Sequence, residues 1–258
     1  MRDLPALAEA LLPIVARAGA AIMQVYGAAF SVQRKDDNSP LTLADLESQR
    51  IIIDGLNRIT PDIPILSEES ATAPWAQRQT WPELWVVDPL DGTREFVKRN
   101  GEFTVNVALV VEHEPLLGVV AAPALGVMFW GAAGVGAFGL TEGGERRIHT
   151  VPPHHPLRVV GSRSHASKET AAYLTRLGPH VLTQMGSSLK FCLLAEGKAE
   201  LYPRFGATSE WDTAAGQAVL EAAGGHVTRM DGHRLRYNCR ESVINGDFVA
   251  FSHPSVLP

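Results

Sequence analysis

The sequence of 258 residues predicts a fold of mixed α+β and α/β class, built in two parts. Two helical patterns open the chain, a series of short apolar strands follows, and strands alternate with helices in the C-terminal part. This order is typical of proteins that stack sheets and helices in layers. A chain of this length buries ~70% or more of its unfolded surface, so its core needs no disulfide or metal to hold it together.

The first helix is predicted from apolar residues that recur at spacings of three and four. These residues are Leu4, Leu7, Leu11, Ile14, Ala18, Ile22 and Val25. Because Glu9, Pro13 and Arg17 interrupt the apolar run, we expect an amphipathic core helix rather than a signal peptide. A polar turn at 34–40 leads to a second predicted helix. Its shared apolar face comprises Leu46, Ile52, Ile53, Leu56 and Ile59.

Strand patterns begin at Leu84. The apolar run 84–87 predicts one strand, and alternation at period two over 103–111 predicts the next. Segments around 116–121, 126–130 and 134–139 extend this into an antiparallel meander. The uncharged stretch that contains these segments is punctuated by Gly and Pro, which favours short buried strands over a membrane helix.

The Pro- and His-rich segment 151–156 predicts a domain boundary, with one domain at 1–152 and a second at 153–258. Beyond it, strands are predicted at 157–161, 181–185, 200–202 and 242–251, and helices at 168–177, 187–195 and 213–223. Gly224 and Gly225 supply a stop for the last helix.

Composition excludes several classes of protein. The formal charge of −5 is spread without long like-charge runs, which argues against a general DNA or RNA binder. Cys192 and Cys239 stand far apart with no C-x-x-C pairing, which argues against a zinc knot and a secreted disulfide scaffold. We therefore expect a cytoplasmic protein without a transmembrane segment.

The informative feature is a set of acids at the ends of predicted elements. They are Glu68, Glu69, Asp88, Asp91 and Asp212. Asp88 follows a strand, and Pro89 turns the chain so that Asp91 can return toward Asp88. Two carboxylates held this close repel each other unless a cation lies between them. Mg²⁺ takes oxygen ligands of this kind.

The residues after Asp91 favour an anion beside that cation. Gly92 and Thr93 let the backbone approach a ligand closely, and 94–97 predicts a short helix whose first N–H groups point outward. Metals that polarise a phosphoryl group and donors for its oxygens are what metal-assisted phosphate ester hydrolysis requires.

Each acid also has a purely structural interpretation. The segment 88–92 has the composition of a strand-exit turn, and Asp212 at a helix start could be its N-cap. Glu68 and Glu69 could be a solvated surface pair. Thr42 and Asp45 have the spacing of a capping box.

Three motifs, in order, resemble those of the lithium-sensitive phosphomonoesterase superfamily, which includes inositol monophosphatases, fructose-1,6-bisphosphatases and 3′(2′),5′-bisphosphate nucleotidases. They are Ser67-Glu68-Glu69-Ser70, Asp88-Pro89-Leu90-Asp91-Gly92-Thr93 and Trp211-Asp212-Thr213-Ala214-Ala215-Gly216. The resemblance covers nearly the whole chain. It implies the layered αβαβα sandwich of the inositol monophosphatase and fructose-1,6-bisphosphatase type, with two or three Mg²⁺ ions.

By this resemblance, Glu68, Asp88 and the Leu90 carbonyl hold one Mg²⁺, and Asp88, Asp91 and Asp212 hold a second. Glu68, Asp45 and Thr93 are the implied catalytic residues: Asp45 corresponds to an acid near a further metal or the attacking water, and Thr93 to the hydroxyl that orients this water. The metal-side residues expected to contact substrate are Glu68, Leu90, Asp91, Gly92, Thr93 and Asp212.

Polar and cationic side chains at loop and helix starts of the C-terminal half favour a substrate with a second phosphate. We expect His165, Ser187, Lys190 and Arg204 to bind it. A solvated or capping role is the alternative for each of these residues.

Within the superfamily, segments 92–96, 99–106 and 186–191 are most similar to bacterial 3′(2′),5′-bisphosphate nucleotidases. These enzymes remove the 3′-phosphate of adenosine 3′,5′-bisphosphate, giving AMP and phosphate, and so clear a by-product of sulfate assimilation. Arg94 stands where Lys is common, which keeps the charge. Two alternatives stay open: a sugar or polyol phosphatase like inositol monophosphatase, and a non-catalytic nucleotide sensor. The sequence predicts neither the oligomeric state nor whether the protein touches the inner membrane peripherally.

Overall fold

The computed structural model describes residues 2–28, 32–34, 40–164 and 167–258. Its helices are α1 (Leu4–Gly27), α2 (Leu43–Ile59), α3 (Trp75–Arg78), α4 (Thr93–Val97), α5 (Lys168–Leu177), α6 (Leu189–Ala195) and α7 (Glu210–Ala222). Single turns of 3-10 helix occupy Pro123–Leu125 and Pro254–Val256.

A large sheet carries the N-terminal part of the chain. Its strands, in spatial order, are β3 (Ile65–Ser67), β4 (Glu83–Asp91), β5 (Thr104–Val111), β6 (Glu114–Ala122), β7 (Val127–Ala132), β8 (Gly136–Thr141) and β9 (Gly144–Ile148). β3 and β4 are parallel, and every later neighbour pair is antiparallel. The predicted meander is confirmed, and β9 extends it by a strand that the sequence analysis missed.

A second sheet carries the C-terminal part. Its spatial order is β11 (His180–Met185), β10 (Leu157–Ser162), β12 (Leu201–Arg204), β16 (Phe248–Phe251) and β14 (His226–Arg229). β10 is parallel to both of its neighbours, and β16 is antiparallel to both of its own. Two short antiparallel pairs join β1 (Val32–Arg34) to β2 (Pro40–Thr42), and β13 (Thr208–Ser209) to β15 (Ile244–Asn245).

Hydrophobic clusters stack these elements into five layers. One cluster joins α1 and α2 to one face of the large sheet, through residues such as Ile22, Leu56 and Trp85. The opposite face packs on α6 and α7, which also contact the second sheet. A smaller cluster covers the outer face of the second sheet with α5. The αβαβα sandwich expected from the sequence is confirmed.

Helix α1 is amphipathic, as predicted. Leu11, Val15, Ala18 and Ile22 lie on its buried face. Among the described residues it is the helix whose length and apolar composition would suffice to cross a membrane. Its packing against the sheet instead explains this apolar composition, because a core helix needs the same residues.

The predicted apolar face of α2 was wrong in part. Ile52 and Leu56 are buried, but Leu46 is about half exposed. The buried face instead continues through the polar residues Asp45 and Ser48. The Ser48 hydroxyl donates to the Pro89 carbonyl at 2.7 Å, so the first turns of α2 make polar contacts with β4 beside the apolar packing of Ala44.

Other predicted boundaries also need correction. The expected strand at 242–251 is two strands in different sheets, β15 and β16, and β14 was not predicted. α7 begins at Glu210, three residues before the predicted start, because Ser209 caps it and the Asp212 side chain accepts from the Ser209 backbone N–H. Asp212 therefore lies inside the first turn and is not the N-cap.

The boundary after residue 152 stays a prediction. The second sheet begins at Leu157, shortly after the proposed boundary. However, one hydrophobic cluster contains residues from both sides, including Val86, Leu220 and Phe248. The two parts of the chain share this core.

Candidate active site

A cleft of about 490 Å³ lies where the two parts of the chain meet. Its walls come from the strand ends and loops of the large sheet, from the start of α6, and from β12 and the start of α7. Residues that line it include Glu68, Asp91, Gly92, Thr93, Ser187, Lys190, Arg204, Trp211 and Asp212. Most of the predicted site residues therefore share one cavity.

The sequence predicted that the chain leaves the sheet after Asp88, and this prediction was wrong. β4 continues to Asp91, and a break in register between Asp88 and Asp91 leaves Pro89 and Leu90 out of the ladder with β5. The Leu90 N–H donates to the Asp88 carboxylate at 3.1 Å. This bulge replaces the predicted exit turn and brings both carboxylates to the same end of the strand.

Asp91 is held from across the cleft. Its Oδ2 accepts from the Ser187 hydroxyl at 2.6 Å and from the Ser188 backbone N–H at 2.7 Å. Ser187 has a φ of 55°, a conformation that a residue with a Cβ rarely adopts. These bonds join the start of α6 to the large sheet and fix the direction of the carboxylate.

Asp212 enters the same cluster from α7. The Ser209 N–H bond to its Oδ2, at 2.9 Å, fixes its orientation. One carboxylate oxygen each from Asp88, Asp91 and Asp212 lies within 4.8 Å of the other two. Two acids of β4 and one from the distant helix α7 thus converge on one point.

Burial and mutual repulsion act together on these acids. Burial raises the pKa of Asp212 to about 8, and the Asp91 charge adds to the shift. The pKa of Asp88 lies well above its ordinary value, because of burial and then the neighbouring charge of Glu68. Burial also raises the pKa of Asp91, although Ser187 and Lys190 oppose the shift. A cation would remove this repulsion.

The donor set fits a hard divalent metal ion. The cluster offers carboxylate oxygens and no sulfur or imidazole, which is the chemistry that Mg²⁺ and similar ions prefer. Asp88 and Asp212 also have local structural roles, since both carboxylates accept backbone N–H bonds. Those bonds orient the acids but leave the repulsion uncompensated.

The other residues assigned to the metal side lie around this cluster. Glu68 follows β3 and lines the cleft, and a side-chain hydrogen bond links it to Asp88. Thr93 opens α4, and its hydroxyl donates to the Leu90 carbonyl at 3.4 Å. Gly92 has a φ of 86°, so its backbone requires glycine.

Asp45 lies one turn before Ser48 on the buried face of α2. Its Oδ2 accepts from both the backbone N–H and the hydroxyl of Thr42, so the predicted capping box is confirmed. Its implied part in catalysis stays a prediction.

Two cationic side chains also line the cleft. Lys190 and Arg204 are both buried, and both line the cavity. The Lys190 ammonium donates to the Met185 carbonyl at 3.3 Å and to the Ser187 carbonyl, and it lies 5.3 Å from the ring centroid of Tyr202. Burial lowers the pKa of Lys190 to about 8.

Arg204 has more donors to offer a ligand. Its Nη2 donates to the Ala207 carbonyl at 3.1 Å, while its buried Nε has no hydrogen-bond partner among the described residues. An unpaired buried donor is costly, so the hydrogen bonding of Arg204 is incomplete among the described residues. His165, the remaining candidate for the second phosphate, lies outside the described residues.

A group of hydrogen-bonded polar side chains beneath the cleft was not predicted from the sequence. Ser188 donates to the Asn106 side chain at 2.7 Å and shares a hydrogen bond with Thr104 at 2.8 Å. Thr104 and Asn106 are polar residues at period two in an otherwise apolar strand, and this was the signal available. Glu95 was also missed. It lines the cleft and accepts from the Ser164 hydroxyl at 2.6 Å.

Comparison with known proteins gives a consistent set of similarities. A family model described as the inositol monophosphatase family matches residues 3–253. The 3′(2′),5′-bisphosphate nucleotidase CysQ of Salmonella typhimurium is 52% identical over 242 residues, which are 93% of this chain and 97% of that protein. The protein of the same name from Escherichia coli K12 is 53% identical, over 90% of this chain and 94% of its own length.

Solved structures agree with these sequence similarities. The crystal structure of CysQ from Bacteroides thetaiotaomicron, described as a bacterial member of the inositol monophosphatase family, superposes with a TM-score of 0.86 at 38% identity. The match covers 96% of this chain and 97% of that one. An inositol monophosphatase from Anabaena gives a TM-score of 0.79 at 26% identity, covering 99% and 94% of the two chains.

Proposed function

Because the chain belongs to the inositol monophosphatase family, we propose that it is a Mg²⁺-dependent phosphomonoesterase that removes the 3′-phosphate of adenosine 3′,5′-bisphosphate, giving AMP and phosphate. The observation that carries the proposal is a cleft that holds both acids and cations. Asp91 and Asp212 line it, a carboxylate oxygen of Asp88 lies within 4.8 Å of theirs, and Lys190 and Arg204 line it as well. A substrate with two phosphates fits this combination of charges.

We assign the metal ligands as the sequence motifs imply. Glu68, Asp88 and the Leu90 carbonyl would hold one Mg²⁺, and Asp88, Asp91 and Asp212 a second. A third ion near Asp45 belongs to the same proposal. Bound there, the ions would polarise the phosphoryl group and lower the pKa of an attacking water.

The chain's own groups would hold the reacting parts in place. Thr93, beside the Leu90 carbonyl, and Glu68 would orient the water. Hydrogen bonds from Ser187 and Ser188 orient the Asp91 carboxylate, and a hydrogen bond from the Ser209 N–H orients that of Asp212. The backbone at Gly92 and Thr93 would approach the scissile phosphate. Arg204 would bind the 5′-phosphate, together with Lys190 and His165. Ser187 would join them once its hydroxyl turns away from Asp91, to which it donates.

The named relatives support this substrate over a polyol phosphate. Each relative of more than 50% identity quoted above is called a 3′(2′),5′-bisphosphate nucleotidase. The buried cations Lys190 and Arg204 also suit a substrate with a second phosphate. A role in sulfur metabolism is part of the same proposal.

Phosphate release from a panel of substrates tests the proposal. The panel contains adenosine 3′,5′-bisphosphate, its phosphosulfate, inositol 1-phosphate and fructose 1,6-bisphosphate. We expect the highest kcat/KM for adenosine 3′,5′-bisphosphate, and no turnover after chelation of the metal. A preference for inositol 1-phosphate would favour the polyol phosphatase instead. Binding of the nucleotide without release of phosphate from any substrate would favour the sensor.

Inhibition by Li⁺ is expected as well. Li⁺ is close to Mg²⁺ in size but carries half its charge, so it could occupy a carboxylate site without activating the phosphate. Replacing Na⁺ by Li⁺ at equal ionic strength should lower the rate. Equal rates in the two salts would contradict the placement of Mg²⁺ among these acids.

A cytoplasmic location is a further part of the proposal. Cys192 is buried and Cys239 is exposed, and neither forms a disulfide. Free thiols of this kind suit a reducing compartment. Fractionation of cells that express the tagged protein would check this location, and recovery with the membrane fraction would indicate the peripheral association that the sequence leaves open.

A further inference from the structure

A buried polar network supports the first turn of α7, where Asp212 lies. Arg78 and Glu210 are almost fully buried, yet they come from opposite parts of the chain and have no assigned role in the reaction. Burying charged groups costs several kcal/mol per ion unless other groups compensate them. A network retained at such cost calls for an explanation.

Asn238 connects the two charged residues. The Arg78 Nη1 donates to the Asn238 side-chain oxygen at 2.6 Å, and the Asn238 side-chain nitrogen donates to the Arg78 carbonyl at 2.8 Å. The Asn238 backbone N–H donates to both carboxylate oxygens of Glu210, at 3.0 and 2.9 Å. Asn238 has a φ of 50°, which presents its N–H and its side chain to different partners.

Both ends of this network belong to elements that carry candidate metal ligands. Arg78 ends α3, in the connection between β3 and β4, and Glu68 and Asp88 lie at the carboxyl ends of those strands. Glu210 is the first residue of α7 and precedes Asp212 by two positions. The network therefore joins the strand pair that holds two of the acids to the helix that holds a third.

The surrounding loop strengthens this link. Arg78 Nη2 also donates to the Glu241 carbonyl at 2.6 Å. Asn245 donates to the Ser209 carbonyl and to the Thr213 hydroxyl, both at 2.9 Å. These bonds hold the start of α7 from the same loop. The start of α7 is thus anchored by the loop at 238–245, and the loop is anchored by Arg78.

We propose that Arg78 and Asn238 are positioning residues that set the distance between Asp212 and the acids of the large sheet, and so set the affinity of the cluster for a divalent cation. The inference rests on the metal site proposed above. It assigns no contact between Arg78 and the substrate or the metal ion. Loss of groups that orient metal ligands typically lowers metal affinity about 10- to 100-fold.

The variants are Arg78→Met, which keeps an apolar stem, and Asn238→Gly, which keeps the left-handed backbone and its N–H but removes the bonds to Arg78. Arg234→Met is the matched control. Arg234 donates to Glu221 at 3.0 Å near the other end of α7, so this variant also removes an ionic anchor of the helix.

The measurement is Mn²⁺ binding to the metal-free full-length protein, followed by the electron paramagnetic resonance signal of free Mn²⁺. It is made well below the unfolding temperature of each variant. We expect the Kd to rise about tenfold in Arg78→Met and in Asn238→Gly, and to stay within about twofold of wild type in Arg234→Met. The double variant should bind about as weakly as Arg78→Met alone, since the side-chain bonds of Asn238 all go to Arg78.

Wild-type affinity in folded Arg78→Met or Asn238→Gly would overturn the inference, as would an equal loss in Arg234→Met. If Arg78→Met does not fold, Asn238→Gly decides, because it keeps the bond between Arg78 and Glu241. Failure of the wild-type protein to bind Mn²⁺ would contradict the proposed metal site and this inference together. Normal wild-type binding with unaffected variants would contradict the inference alone.

Discussion

Asp91 combines two properties that a metal-binding carboxylate needs. Ser187 and Ser188 fix its direction, and burial raises its pKa, so that a cation would stabilise its charged form. The sequence identified this residue from its position after a strand and a proline. It could not identify Ser188, because the contact crosses the cleft between residues about a hundred positions apart in the chain.

Replacing Asp91 by Asn should keep the fold and remove most of the activity. The Asn oxygen can still accept from Ser187 and Ser188, but the charge for the metal is lost. We expect kcat/KM to fall at least about a hundredfold. Without metal, the variant should unfold at the same temperature as wild type or higher, because one repelling charge is gone. Asp62→Asn, at an exposed acid, is the control. Wild-type turnover by the folded variant in limiting Mg²⁺ would contradict the assignment.

The raised pKa of Asp212 predicts how stability depends on pH in the absence of metal. Its pKa is about 8 in the folded protein and about 3.8 in the unfolded chain. Between these values the folded state binds more protons, so the free energy of unfolding falls as pH rises. Asp88, whose pKa is also raised, acts in the same direction.

Thermal unfolding in a chelator should therefore occur at a lower temperature at pH 8 than at pH 6. Mg²⁺ should reduce this difference, because it favours the charged acids. The pKa of Lys190, lowered to about 8, opposes this trend, but chiefly above pH 8, where the folded state loses the Lys190 proton before the unfolded chain does. The Asp212→Asn variant should show a weaker dependence on pH. A metal-free wild type that is more stable at pH 8 than at pH 6 would be inconsistent with repulsion in the cluster.

At the scale of elements, α7 positions Asp212 by packing very closely on the large sheet. A Cβ added to Gly118 of β6 would lie 2.4 Å from the Ala215 carbonyl oxygen and 2.8 Å from the Ala218 Cβ. A Cβ added to Gly131 of β7 would lie similarly close to Val219 and Ala222. These two glycines let the helix backbone approach the sheet, which places its first turn at the cleft.

Gly118→Ala should consequently affect both stability and activity. Overpacking of this kind costs about 1–3 kcal/mol, and the displaced helix would carry Asp212 away from the other acids. Urea unfolding and kcat/KM measure the two effects. Gly139→Ala on β8 is the control, since the nearest atom to its added Cβ lies at an ordinary 3.6 Å. Equal behaviour of the two variants would show that close packing of α7 is not required.

The sequence predicted most elements because their apolar periodicity is regular, as in α1, β5 and α5. The predictions were wrong where polar residues are buried or form helix caps. α2 turns Asp45 and Ser48 inward, so its apolar face was misplaced around Leu46. α7 begins earlier than predicted, because the cap at Ser209 precedes the first apolar residues. The bulge in β4 cannot be distinguished from an exit turn by composition, since both use Asp and Pro.

For the whole molecule, the motifs indicated which residues form the metal side but not how the two parts of the chain meet. The structure shows that they share a hydrophobic cluster, and that polar bonds such as those of Asp91 and Arg78 cross between them. Such contacts depend on tertiary packing, which no local pattern reveals. The cleft exists because these two parts are held together.

The central claim is that this cleft binds two phosphates, one at the carboxylates and one at Lys190 and Arg204. The most direct test compares kcat/KM for adenosine 3′,5′-bisphosphate and for 3′-AMP in wild type, Lys190→Ala and Arg204→Ala. Removing a charged hydrogen bond to the 5′-phosphate should cost roughly 1.5–3 kcal/mol, about tenfold or more in kcat/KM.

We expect this loss for adenosine 3′,5′-bisphosphate and little loss for 3′-AMP, which lacks the 5′-phosphate. Arg204→Ala should show the larger selectivity, because Lys190 already donates to two backbone carbonyls and Arg204 to only one among the described residues. Equal losses of kcat/KM on the two substrates would show that neither residue binds the second phosphate. This result would contradict the nucleotidase assignment.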